Sequence, residues 1–539
     1  MSILKWLRCH VARLTLMFAG GIFVLSLLSS IPVDAGSGDL DPRFGDGGKV
    51  LTDFFGNAAE ANALAVQRDG KMVAAGSARR AFLDFDFALA RHNTDGSLDE
   101  TFGAGGKVVT DFFGGNDYIY NLAIQPDGKI VAAGSAAHDA VNSDFALARY
   151  NPDGSLDETF GTGGKLSLDF FNNTDEAHGL LLQPDGKIVI GGNTNGTGIG
   201  LSVALARYNP DGSLDATFGA GGKVIVNRAV IQQSLTDLAL QADGKIVAVG
   251  WHRPGKHSSF LLLRFTADGA LDSGFGSGGE VTTEFLDRDP AATAVAMQLD
   301  GRIVVGGTAQ LSSGPYVFEL ARYNSDGSLD ATFGADGKVT TSYFPLSIDL
   351  INLLLQADGR LLAVGVAVRS HSDFAIMRYN HDGSLDDSFG NGGLVTTDFG
   401  GQFESASAAA FQPNGRLIVA GTVLLPAGSD MALAGYDTGF DAFDLCIQDD
   451  VSGNHLKFSS ATGEYQFVNC RKRIIVTGKG VVRVRGCKIE LQDIQTDRNL
   501  SARLSPCARS GRATLRLTAL GKTFSISDPD ITDNSRRCP

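Results

Sequence analysis

The chain has 539 residues, enough for more than one domain. Its formal charge of −14 is concentrated in the body, because the stretch from Phe440 onward holds 16 Lys and Arg against 11 Asp and Glu. That acidity disfavours nucleic acid as a partner, and the mild basic excess of the tail is read as a solvated face.

In chain order, Lys5, Arg8 and Arg13 come first, ahead of an apolar run from Leu14 to Leu28. Val33-Asp34-Ala35 then supplies small residues where a signal peptidase would cut. Residues 1–35 are expected to be a secretory signal peptide, cleaved near Ala35. The apolar run is shorter than the roughly 20 residues that span a bilayer, and no cysteine follows it to carry a lipid. No later segment is apolar and long enough to cross. The mature chain is therefore expected to be secreted, periplasmic or extracellular, with no transmembrane anchor.

From Gly38 the chain repeats itself. GSLD, or a close variant, begins at Gly38, Gly96, Gly154, Gly212, Gly269, Gly327 and Gly383. In one unit, Asn121 to Gln125 and Lys129 to Gly134 flank Pro126-Asp127-Gly128, a hairpin signal. Phe145 to Tyr150 alternates with period two, as Lys165 to Asp169 does more loosely. No segment of helical length keeps a 3.6-residue period. Four short strands per unit predict the blades of a β-propeller, with a β-solenoid as the lesser alternative. Strands ending at a Gln (Gln67 to Gln412) number seven, as do those beginning with GGKV or its variants (Lys49 to Leu394). The first of the latter precedes every other strand, so Lys49 to Phe54 is free to complete the last blade and close the ring. Closure removes exposed sheet edges. The expected fold is all-β, a seven-bladed β-propeller over 36–439 with four-stranded blades.

GSLDETFGxGGKV, LALQPDGKIVAAG and DFALARYNPDG together closely resemble the delta-60 repeat of exported bacterial proteins, from about Gly38 to Tyr436. The resemblance implies a propeller-like fold, export and a bacterial source, and it implies no activity. Unit seven departs from it: Gly435 stands where Arg is usual, and no GSLD phrase follows Tyr436. Residues 440–539 resemble, more loosely, a small cysteine-bearing β module of exported bacterial proteins. Of its five cysteines, Cys446, Cys470, Cys487 and Cys507 are candidates for two disulfides, and Cys538 is left over.

The repeated stretch NPDGSLDETFGTGGK at Asn151 to Lys165 sets oxygens at alternate positions: Asn151, Asp153, Ser155 and Asp157. Calcium needs about 6–8 oxygens, and an EF-hand has glycine sixth and Glu twelfth; here glycine is fourth and Thr162 twelfth. A turn with Asx caps explains the residues better, with Leu156 and Phe160 filling space between blades. Calcium stays the only cofactor weighed; none is otherwise expected. The glycine run is followed by a strand, not the helix of a phosphate-binding loop. Ser155 has no recurrent His partner, and Arg149 and its repeats are expected to pair with loop carboxylates.

The loops QPDGK and NPDGSLDETFG are nearly constant, whereas those on the opposite face differ in every unit. Binding residues tend to lie on varied loops of a rigid scaffold. That face is expected to hold Tyr118, Tyr120, His138, His178, Trp251, His252, Arg253, Lys256, His257, Tyr316 and His371. The candidate ligand site is Trp251, His252, Arg253, Tyr118, Tyr120 and Tyr316, suited to a protein or glycan at the cell surface. The expectation is a monomeric, non-enzymatic binding or scaffold protein. The alternative is a hydrolase or lyase in the central funnel, which would need unique acids and His converging near the axis.

Overall fold

The computed structural model describes residues 37–438, apart from 82–83, 140–141, 197–199, 227–231, 286–287, 299, 312–313, 344–345, 357–358 and 427. Beyond 438 it describes the backbone of strands between Leu445 and Asp528. Residues 1–36, with the expected signal peptide, lie outside the described residues, as do Cys470, Cys487, Cys507 and Cys538. Cys446 falls on the strand Leu445–Gln448.

Seven four-stranded antiparallel sheets follow one another along the chain. In blade 2 the strands are A (Asp117–Ile124), B (Ile130–Ala137), C (Ser143–Tyr150) and D (Lys165–Leu168). The A strands of successive blades neighbour one another in a closed cycle, so they are innermost and wall the axis. Strand C is buried nearly end to end, because both of its faces are covered by adjacent blades. Among the described residues no helix is long and apolar enough to cross a membrane. Between Leu445 and Arg503 six strands pair in sequence order, and Ala513–Ala519 pairs with Lys522–Asp528.

The ring closes as the strand count predicts. Lys49–Thr52 pairs with strand C of blade 7, from Lys49↔Ala434 to Thr52↔Met431. The loop preceding it comes too. Leu40 bridges Tyr436, and the Asp41 amide donates to the Gly435 carbonyl at 2.8 Å. The phrase missing after Tyr436 is therefore supplied from the other end of the chain. At Gly435 a Cβ would meet the Phe44 ring at 2.7 Å, so this blade has no room for the Arg that the other six keep over the equivalent Phe. Its partner, Asp41, is instead held by Arg416 at 2.6 Å and by Arg43 at 2.9 Å.

The repeated loop is joinery. Arg149 Nε donates to Asp157 at 2.7 Å, Lys129 Nζ reaches the same oxygen at 2.8 Å, and the guanidinium lies 4.3 Å from the centre of the Phe160 ring. Arg149 Nη1 continues to the Pro210 carbonyl of the next blade at 2.5 Å. Burial opposes ionisation of Asp157, yet hydrogen bonds from Lys129, Thr159 and Arg149 outweigh it and hold the carboxyl far below the usual range. The Asp153 carboxylate accepts from the Ser155 amide and hydroxyl, and Asn151 Nδ2 donates to Ser155 Oγ. The same Arg–Asp pair recurs at 2.7–2.8 Å in blades 1 to 6. Tyr150, Tyr323, Tyr379 and Tyr436 add a second tie, each hydroxyl donating to a Thr near the end of the preceding strand D.

Candidate functional site

Every strand A carries a β-bulge at one equivalent position: register shifts between Ile119 and Asn121 in blade 2, and at the matching step in the other six. A bulge leaves one residue unpaired and bends the strand. It also presses the strand-A backbone onto strand B, where a Cβ at Gly134 would overlap the Tyr118 carbonyl oxygen. That close approach explains the glycine ending each KIVAAG phrase. The bulged residue and the one two places before it are half-buried, except for buried Ser234 in blade 4, while the residue between them is buried. On an innermost strand such side chains are open toward the axial channel.

In blades 1 to 3 these two positions hold Glu60 and Asn62, Tyr118 and Tyr120, Glu176 and His178. Blades 4 to 7 carry Ser, Thr, Ala, Ile and a single acid, Asp349. The wall is therefore chemically one-sided. Aromatic rings run across it from Tyr118 to Tyr120 at 6.4 Å and from Tyr120 to His178 at 4.8 Å between centroids, and Phe85, at the start of strand C of blade 1 (Asp84–His92), continues the row behind the wall at 5.7 Å from Tyr118. His178 Nε2 lies 3.5 Å from Glu176 Oε2.

Electrostatics separates the two acids. Burial raises the Glu60 carboxyl above its ordinary value. The hydrogen bond from His178 lowers Glu176, outweighing burial. Burial pushes up the Tyr120 hydroxyl, with Glu176 and Glu60 adding to the shift, and Tyr118 rises through burial, then Glu60 and Asp117. Both tyrosines are thus neutral donors in the physiological range, beside one carboxylate and one carboxyl of raised pKa.

The sequence placed Tyr118, Tyr120 and His178 on loops. They lie on inner strands that begin at Asp117 and Asp175, four residues before the expected start at Asn121 in blade 2. Alternation stops at the bulge, so period two cannot be followed through it. Trp251, His252 and Arg253 likewise end strand B of blade 4 (Ile246–Arg253), with Trp251 paired to Ser234 and Phe260. The Arg253 guanidinium sits 5.7 Å from the centre of the half-buried indole. Tyr316 opens strand C of blade 5 (Tyr316–Tyr323) and is 40% exposed. These candidates form three groups, on blades 2, 4 and 5, and among the described residues no hydrogen bond or ring contact joins one group to another. Glu60, Glu176 and Phe85 were missed; comparing units at the position before each bulge would have found both glutamates.

Six stretches, 67–102, 125–160, 183–218, 241–275, 298–333 and 356–389, match the family model described as domain of unknown function (DUF5122) beta-propeller. These matches support a β-propeller repeat family for the chain. The matched stretches start at the Gln turn and end in the repeated loop, taking in strands B and C between them. No curated protein matches the chain. Similar solved structures include a fungal alcohol oxidase in complex with copper (10% identity, 89% of this chain and 98% of that one, TM-score 0.43). Others are the WD40 repeats of RRP9 (10%, 72% and 97%, 0.42) and a protein of unknown function from Dyadobacter fermentans (13%, 72% and 97%, 0.38). Likenesses this distant decide nothing about what the chain binds or does.

Proposed function

We propose that the protein is an exported, monomeric glycan-binding propeller whose ligand lies across the channel mouth over blades 1 to 3. The observation that carries this reading is the row of rings from Phe85 to His178, flanked by Glu60 and Glu176. A sugar ring offers a C–H face to an aromatic surface and hydroxyls to carboxylates, and binding sites commonly join aromatic walls to a few convergent polar groups. Trp251 with Arg253 would extend the surface into blade 4 for a longer chain.

The test is a glycan array on the full chain, with Tyr118→Ala and Tyr120→Ala against Trp251→Ala and His252→Ala. Loss of a bound glycan on removing the tyrosines, with a smaller loss at Trp251, is the expected result. Binding that ignores both pairs of changes, or no glycan bound at all, overturns the reading.

One observation favours a second reading, a glycoside-cleaving enzyme. The Glu60 carboxyl is raised while Glu176 is lowered, and an acid–base pair requires that kind of separation. Turnover of a glycan ligand, abolished in Glu176→Gln and in Glu60→Gln with binding kept, would establish it.

A further inference from the structure

Acidic side chains from separate strands meet where one blade passes to the next, away from the channel wall. At the passage from blade 1 to blade 2, Asp86 of strand C, Asp111 of the following loop and Asp117 at the start of the next strand A bring carboxylate oxygens within 4.8 Å of one another. From blade 2 to blade 3, Asp144, Asp169 and Asp175 do the same. Asp86 is 0% exposed, and neither of its oxygens has a hydrogen-bond partner. At the second junction Asp144 Oδ1 and Asp175 Oδ1 lack one, in residues 4% and 0% exposed.

We propose that these two junctions are divalent-cation sites, each taking one calcium ion between its three aspartates. The ligands are hard oxygens, and calcium accepts carboxylates together with water in a flexible sphere. Backbone amides already hold the far side of each set. Phe112 N donates to Asp117 Oδ2 at 2.8 Å and Gly114 N to Asp111 Oδ1 at 2.6 Å; in the second set Phe170 N donates to Asp175 Oδ2 at 2.8 Å. Ala137 N also donates to Asp117 Oδ1 at 3.3 Å, and these bonds fix the carboxylates while both Asp86 oxygens, Asp144 Oδ1 and Asp175 Oδ1 stay without a hydrogen bond. At the first junction Arg80, itself 56% exposed, lies 3.5 Å from Asp86 Oδ2 and neutralises only part of the charge; at the second, His138 Nε2 lies 2.8 Å from Asp144 Oδ2.

The chain contains its own comparison. At the corresponding places blades 5 and 6 have Val317, Ser342 and Ile348, and blades 4 and 5 have Ser259, Glu284 and Pro290. From blade 3 to 4, Ser202 and Gln233 replace the strand acids. The fold does not need carboxylates there. Where the strand-A position is acidic, all three positions are acidic, at the two proposed sites and from blade 6 to 7 (Asp373, Asp398 and Glu404); from blade 7 to 1, Ala59 holds the strand-A position beside Asp430 and Asp53. Three mutually repelling groups kept as a set, in a place where Val and Ile serve, call for a cation between them.

The experiment is calorimetric titration of the chelator-treated full chain with calcium chloride, repeated on Asp86→Asn and Asp144→Asn, together with thermal unfolding of Asp117→Asn. Calcium should bind with a Kd of about 10⁻⁴ to 10⁻³ M, and each of the first two changes should remove about one equivalent. Metal-free Asp117→Asn should unfold at a higher temperature than metal-free wild type, because one repelling charge is gone, and its gain from calcium should be smaller than that of the wild type. The variant thus remains informative even though it alters a buried group. No heat up to about 10 mM calcium, or an unchanged number of equivalents in both Asn variants, overturns the proposal.

Discussion

The repeated end of each blade carries an acid, several blades carry acids at the other end as well, and the two ends treat them oppositely. On the repeated face Asp99, Asp157, Asp215 and their equivalents are each met by an Arg and a Lys or second Arg, and their carboxyls are held low. On the varied face Asp86, Asp117, Asp175, Asp373 and Glu404 are raised, chiefly by burial. One end is closed upon itself, with charges matched inside the protein and tied to the next blade. The other leaves charge and aromatic surface to be matched from outside. Buried charge without an internal partner is costly, so it marks where stability has been given up, which is where ligands are to be sought.

The contrast breaks most visibly at the matched end. Asp157→Ala leaves Arg149, 6% exposed, without its carboxylate. Removing one partner of a buried pair costs about 3–5 kcal/mol, and chemical denaturation should register a loss of that order. A loss below about 1 kcal/mol, the range of surface pairs, would show that the loop does not hold the blades. Next in size is the closing blade. Gly435→Ala moves the sequence no closer to function, yet it forces a methyl group against Phe44. Overpacking of this kind costs about 1–3 kcal/mol, measurable as a lowered denaturation midpoint, whereas Gly105→Ala, with nothing near its Cβ position, tests the strain of a positive φ alone.

How much was legible follows from distance along the chain. Blade number, strand order within a blade and closure by Lys49 to Phe54 could be read because each depends on a local phrase repeated seven times. The role of Arg149 could be read because an Asp stands eight residues after the Arg in six of the seven units. The channel wall could not be read. Bulges at Tyr120 and His178 interrupt the alternation that locates a strand, and Glu60, Tyr118 and Glu176 meet only because three blades bring them together. The junction acids were invisible for the same reason: Asp86 and Asp117 lie on different blades and form no sequence motif. Repetition reveals construction, and a site assembled from the places where repeats differ has no periodic signal.

The smallest expected effect separates the two ends by pH, in chelated protein so that no cation intervenes. A carboxyl raised in the folded state contributes stability that is fully present below its unfolded pKa of about 4 and lost as pH climbs through the folded value. For Asp86, Asp175 and Asp117 the folded values are about 6, 6 and 7, so the melting temperature should fall between pH 4 and pH 8. The depressed acids of the repeated face have the opposite sign. Their stability is present above about pH 4 and is lost only in stronger acid, as pH descends through folded values well below that. A maximum in moderately acidic solution is therefore expected, with the decline on its alkaline side reduced in Asp117→Asn and unchanged in Ser155→Ala, whose site is at the other end. If the alkaline decline were the same in Asp117→Asn, the junction acids would not be the groups responsible, and the difference between the two faces would have to be sought in other residues.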